Sequence, residues 1–177
     1  MYDKPIERAV ASKHCIFDEN DPMTADFYAC IADLLENEAV QELKKFHQHC
    51  NTSRLQHCLS VSYYSYHIAA KIGADPRKSA RAGLLHDLFL YDWRKEKMPE
   101  NHAFYHPKAA LENAKKITEL SEHETDAILK HMWPLCKGMP LYKESVAVTI
   151  ADKSAASIEV VTQWSLVFLR KLHLVRG

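Results

Sequence analysis

The chain is expected to fold as an all-α protein, a single-domain helical bundle, and three observations carry that expectation. Apolar residues recur mainly at helical spacing and rarely alternate. Only four glycines occur in 177 residues, and β-branched runs are few. Capping residues stand ahead of apolar segments, as Ser53, Asp75 and Ser121 do. With 47% apolar residues and no long polar tract, there is material for one sizeable core.

Residues 1–22 show little periodicity and end in the breakers Asp18-Glu19-Asn20-Asp21-Pro22, which predicts an N-terminal arm over the surface or a partial lid. The domain is expected over 23–177. From Thr24 to about His47, Phe27, Ile31, Leu34, Leu35, Val40, Leu43 and Phe46 fit one amphipathic helix, open to a break near Asn37. His47 and His49, two apart, cannot share a helical face and read as loop or exposed residues.

Asn51-Thr52-Ser53 offers caps for a helix over Arg54 to Ile72, which Gly73 ends, with His57 in its first turn near the buried stripe. Asp75-Pro76 is an N-cap followed by proline at the first helical position, so a further helix carries Ala80, Gly83, Leu84 and Leu85 to His86. The small residues Ala80, Ala82 and Gly83 invite another helix to approach closely. A loop is expected from Asp87 to Tyr105, and His106-Pro107 then opens a helix through Ile117. Ser121-Glu122-His123-Glu124 is a capping-box pattern for a helix ending near Trp133, with His131 turned inward and His123 solvated. After a linker over 134–140, two last helices are expected, Leu141 to about Val160 and Val161 to Leu174.

Charge and cysteine content exclude several classes. Lysine plus arginine equals aspartate plus glutamate, 23 against 23, so no field favours a nucleic-acid polymer or an anionic membrane. Five cysteines, odd in number and without a CxxC pair, suit reduced thiols in a cytoplasmic protein. The opening residues are too polar for a signal peptide, and no apolar stretch approaches the roughly 20 residues that cross a bilayer. The run Trp164, Leu166, Val167, Phe168, Leu169, Leu172, Leu174 is apolar enough for a core helix or for the face of a homodimer.

What stands out is histidine, eleven in all, and the pair His86-Asp87 at the end of an apolar run. Alone, that pair could be a helix-end histidine beside a capping aspartate. Its company changes the reading: His57 upstream, then His106, His131 and Asp152, each within a helical segment. Asp152 lies among Val146, Ala147, Val148, Ile150, Ala151, Ala155 and Ala156. A lone carboxylate buried there costs several kcal/mol unless a cation compensates. That cation is a metal ion or, in the structural alternative, Arg54 or Lys153.

The order His57, His86-Asp87, Asp152 resembles the H…HD…D signature of the HD-domain superfamily, metal-dependent phosphohydrolases on an all-helical scaffold. RLQHCLSVSYYSYHIAAKIGADPRKSARAGLLHD resembles that family's first two motif helices and TIADKSAA its closing aspartate helix, over a motif core of about 54–157. HPKAALENAKK and ILKHMWP resemble segments of the HDIG-type branch. There are departures. No Gly-Lys follows the HD pair, where Leu88-Phe89-Leu90 stands, and the second place of the HD-GYP histidine doublet is Met132 with no GYP tripeptide after it. Met132 and the missing GYP tripeptide argue against cyclic-dinucleotide cleavage, and whatever a lysine after the HD pair does must be done otherwise.

The resemblance implies a first divalent ion on His57, His86, Asp87 and Asp152, and a second on His106, His131 and a bridging Asp87. Imidazole and carboxylate without thiolate suit Fe, Mn, Ni, Co or Zn. It implies a small phosphorylated substrate, a nucleotide or other metabolite, cleaved by water at the metals with Asp87 in the catalytic centre. Arg54, one turn before His57, and Lys153, next to Asp152, are the candidates for taking up phosphate charge, with a surface position as the alternative for each. Arg94, Lys95 and Lys137 read as solvated. The same six ligands also resemble those of di-iron oxygenases on this scaffold, and a non-catalytic metal- or nucleotide-binding module is the third reading.

Overall fold

Asn37 and Ser53 divide the N-terminal part of the protein in the computed structural model, which describes residues 24–48 and 52–174. The arm expected over 1–22 lies outside the described residues. Asn37, extended at its own backbone, accepts from the Ala39 amide and separates α1 (Ala25–Leu35) from a short α2 (Glu38–Glu42). A 3-10 turn follows at Leu43–Lys45. The one helix expected from 24 to 47 is thus two helices and a turn, because the asparagine side chain supplies an acceptor that ends one helix and starts the next.

Ser53 and Gln56 form a reciprocal capping box that opens α3 (Arg54–Ile72), and Gly73, at φ +68°, ends it. Asp75 caps α4 (Pro76–Leu85) through the Lys78 amide. Both fall where the sequence places them. The next helix, α5 (His102–Ile117), starts a turn earlier than His106 because Asn101 accepts the Ala103 amide and caps it there. Pro107 therefore lies inside the helix, and the expected loop shortens to 88–101. A second capping box, Ser121 with Glu124, opens α6 (Glu122–Lys130), which ends in a turn bearing His131.

The two final helices are one, α7 (Lys143–Leu174), 32 residues long. Neither proline nor glycine interrupts that stretch, so nothing removes an amide or offers a cap at Val160. The side chains of residues 162, 163 and 165–174 lie outside the description, and with them most of the apolar C-terminal run. Among the described residues there are no strands, and no helix is long and apolar enough to cross a membrane.

Helix α3 is the central element, packed chiefly on α4 and α7. It meets α4 at Gly83, where an added Cβ would stand 2.9 Å from the Ser62 Cα. Ser62 Oγ donates to the Ala80 carbonyl across the same crossing at 2.7 Å. Leu55, Leu59, Leu84, Leu85, Leu88, Ile128, Val148 and Ala151 fill the core between these helices, all but excluded from solvent. The buried guanidinium of Arg81 ties α4 to α1 through Asp33 and the Cys30 carbonyl, and to Thr118. Close packing of α3, α4 and α7 brings the polar residues at their ends together.

Candidate metal centre

Five helices deliver the candidate ligands to one place. The first turn of α3 carries His57, the C-terminus of α4 leads into His86 and Asp87, α5 holds His106, the turn after α6 holds His131, and α7 holds Asp152. All six are buried.

Each imidazole is aimed by its Nδ1. His86 Nδ1 donates to the Gly83 carbonyl at 2.8 Å, His106 Nδ1 to His102 at 2.7 Å and His131 Nδ1 to Ile128 at 2.8 Å. A carbonyl only accepts, so each of these Nδ1 atoms carries a proton and Nε2 is the atom turned inward. His57 is aimed by a carboxylate instead, its Nδ1 lying 3.1 Å from Glu159 Oε1.

The Nε2 atoms then meet the two aspartates. His57 Nε2 is 3.1 Å and His86 Nε2 3.7 Å from Asp152 Oδ1. His106 Nε2 and His131 Nε2 lie 3.3 and 3.7 Å from Asp87 Oδ1, and 2.9 Å from each other. His86 Nε2 also stands 3.7 Å from Asp87 Oδ2. The outer carboxylate oxygens are held from behind, Asp87 Oδ2 by Gln48 Nε2 at 2.5 Å and Asp152 Oδ2 by Lys153 Nζ at 2.9 Å.

Burial disfavours charge on all of these groups, and the neighbours decide the outcome. At His57 the bonds to Asp152 and Glu159 outweigh burial and raise the imidazole to about 10. At His86 burial is likewise outweighed, here chiefly by the Asp87 carboxylate, and the group lies well above its usual range. Burial and the adjacent His86 push His131 down to about 3, and burial lowers His106. Asp87 and Asp152 stay well below the usual carboxylate range despite burial, held ionised by the imidazoles around them.

This arrangement fits a cation. His106 and His131, neutral and protonated on Nδ1, turn two lone pairs at each other and at Asp87 Oδ1. Asp87 Oδ1 and His86 Nε2 are buried without a hydrogen-bond partner. Buried polar atoms left this way cost several kcal/mol, and a divalent ion held there would remove the cost. His57, His86 and Asp152 bring ligand atoms within 4.8 Å of one another, as do His86, Asp87 and His131. His86 is common to both groups. A cleft of about 330 Å³ opens onto Asp87, His106, His131 and Asp152.

The HD domain family model matches residues 54–157, the span from α3 to the middle of α7 that carries all six ligands. The chain belongs to the HD domain family. No curated protein and no solved structure gives a match. HD domains are mostly metal-dependent hydrolases and bind divalent metals. The match specifies the family and leaves the HDIG branch unspecified.

Of the residues expected in this HD domain site, Lys153 lines the cleft, with Nζ on the His131 carbonyl and Asp152 Oδ2. Arg54 does not. Its guanidinium is buried beneath the loop, against the Phe89 ring at 3.5 Å, and donates to the Phe89 and Tyr91 carbonyls. Among the described residues it is linked to the centre by Gln48, whose Oε1 accepts Arg54 Nε while its amide holds Asp87. Arg94, read as solvated, is exposed, and it lies over Trp93 and donates to the His47 and Gln48 carbonyls at the mouth of the cleft. His123, also read as solvated, is bonded to Glu144.

Two residues that hold the candidate ligands in place escaped the sequence reading. Glu159 carries a legible signal, an acid on an apolar helix two turns after Asp152 and so on the same face. Gln48 carries none. It sits in an aperiodic stretch of sequence, next to His47, which bridges to Ser53 ahead of α3.

Proposed function

We propose that this HD domain is a metal-dependent phosphohydrolase that cleaves a phosphoester of a nucleotide or another small phosphorylated metabolite. The observation that carries the reading is the pairing of two thiolate-free ligand groups with a cleft that has cationic side chains on its wall. His57, His86 and Asp152 would hold one divalent ion, and Asp87, His106 and His131, with His86 between the groups, a second. Such ions supply Lewis acidity and bring the pKa of water from about 15.7 toward ~7.

The chain's own groups supply the rest. The three Nδ1 bonds to backbone carbonyls and the Glu159 bond fix the imidazole tautomers before any substrate arrives. Lys153 uses two of its three N–H donors on Asp152 and the His131 carbonyl, leaving one for a phosphate oxygen. Arg94 adds positive charge at the entrance, where it favours a dianionic ester. Trp93, stacked on His102 at 5.0 Å, and Leu135 form apolar walls that exclude water around the rest of the substrate.

The test is to strip the protein with chelator, reload it singly with Mn, Fe(II), Co, Ni or Zn, and measure phosphate release from aryl phosphoesters and nucleotides. Turnover that His86→Ala and Asp87→Ala abolish is expected; a metal-loaded protein inert across the panel overturns the reading. The sharing of His86 between two ligand groups also accommodates a di-iron oxygenase. Oxygen uptake after anaerobic loading with Fe(II), without phosphate release, would replace the hydrolase with that reading.

A further inference from the structure

The carboxylate that aims His57 stands apart from the six ligands. Glu159 is fully excluded from solvent on α7, and both of its carboxylate oxygens face His57 Nδ1, at 3.1 and 3.2 Å. The other ring nitrogen of His57 faces Asp152 Oδ1 at 3.1 Å. Asp152 and Glu159 are seven residues apart, two helical turns and roughly 10 Å along the axis. The small residues Ala155 and Ala156 lie between them. The His57 ring therefore lies along one face of α7, clasped at both nitrogens by carboxylates of the same helix.

We propose that Glu159 is a positioning residue for the metal centre, a carboxylate that orients the His57 ring and raises its basicity as a ligand through Nδ1. The inference rests on the metal-binding reading of His57. Glu159 stands two residues past the stretch that matches the HD domain, so it is a feature of this chain that the family match does not supply. The other three imidazoles have backbone carbonyls at Nδ1, which no substitution removes. His57 alone depends on a side chain. A carboxylate behind a ligating imidazole fixes the tautomer and strengthens the ligand, and losing such a partner typically weakens metal binding ~10–100-fold.

The test uses the full chain, with Glu159→Gln, which keeps the shape and an acceptor but loses the charge, and Glu159→Ala. Affinity for Co(II) is measured by competition with a chromophoric chelator, and the melting temperature is measured with and without metal. A positioning role predicts Co(II) binding weakened ~10–100-fold in Glu159→Ala and less in Glu159→Gln, with the stabilisation by metal reduced to match. It also predicts a changed Co(II) absorption spectrum in both. If Glu159→Ala does not fold, Glu159→Gln decides alone. Equal loss of melting temperature in metal-free and metal-loaded protein, with unchanged Co(II) affinity and spectrum, assigns Glu159 to the fold only and overturns the proposal. A wild-type chain that fails to bind Co(II) refutes the metal reading itself, a distinct result.

Discussion

His106 and His131 face each other Nε2 to Nε2 at 2.9 Å, each with its Nδ1 proton committed to a backbone carbonyl. Two lone pairs in that position repel unless a cation lies between or beside them. One comes from α5 and the other from the turn that ends α6, and backbone carbonyls of those two helices set the aim. The centre is thus organised by secondary structure before any ion enters.

The two ligand groups share His86, and this makes them separable. His131→Ala is expected to weaken binding at the group with Asp87 and to spare the group of His57 and Asp152, whereas His86→Ala disables both. Losing a ligand should cost more than the ~10–100-fold lost with an outer partner. Metal content after dialysis, measured by elemental mass spectrometry, checks this.

Gly83 permits the crossing that brings His57 near His86. A Cβ there would meet the Ser62 Cα at 2.9 Å, a backbone atom that cannot swing aside. Gly83→Ala is expected to destabilise the metal-free protein by about 1–3 kcal/mol and to weaken metal binding as α3 and α4 part. Urea titration and a metal competition assay on the same variant measure both effects.

Arg54 holds the loop after Asp87 in place. Replacing it with methionine leaves the Phe89 and Tyr91 carbonyls without their donor and frees Gln48. A loss of about 1–3 kcal/mol is expected in the metal-free protein. Lys153→Met, by contrast, is expected to leave the urea midpoint nearly unchanged and to weaken inhibition by inorganic phosphate. The two urea curves separate a residue that supports the fold from one that faces the cleft.

Away from the metal, Glu144 predicts an acid limb of stability. It accepts from the Asp75 amide at 2.8 Å and from His123 at 2.9 Å, joining α7 to α4 and α6. Burial opposes ionisation, but these bonds outweigh it and hold the carboxyl below its ordinary 4.5. A depressed folded-state value gives stability that is present above the unfolded value and lost as pH falls through the folded one. Wild type should therefore lose stability as pH drops below about 4.5, and Glu144→Gln should flatten that limb while lowering stability at pH 7 by about 1 kcal/mol. Urea midpoints between pH 3 and 7 provide the check.

Much of this protein was legible in its sequence, for identifiable reasons. The caps Ser53, Asp75 and Ser121 and the stop at Gly73 act locally, so the bounds they set for α3 and α4 and the start of α6 hold. The start of α5 and the unbroken α7 differ from the expectation, because Asn101 caps α5 a turn ahead of the proline at 107 and no proline or glycine stands near Val160 to end α7. The burial of Asp152 followed from its apolar neighbours. The place of Arg54 could not follow, since it depends on where the loop over 89–91 returns, a contact between residues more than thirty positions apart. Gln48 was illegible for the same reason, while the seven-residue step from Asp152 to Glu159 was there to be read.

The central claim is that these buried imidazoles and carboxylates hold a divalent ion. Isothermal titration of chelator-stripped wild type and His86→Ala with Mn(II), Fe(II), Co(II), Ni(II) and Zn(II) tests it most directly. At least one ion per chain bound by wild type and lost in His86→Ala is the result expected. Wild type binding none of these ions more tightly than His86→Ala would contradict it.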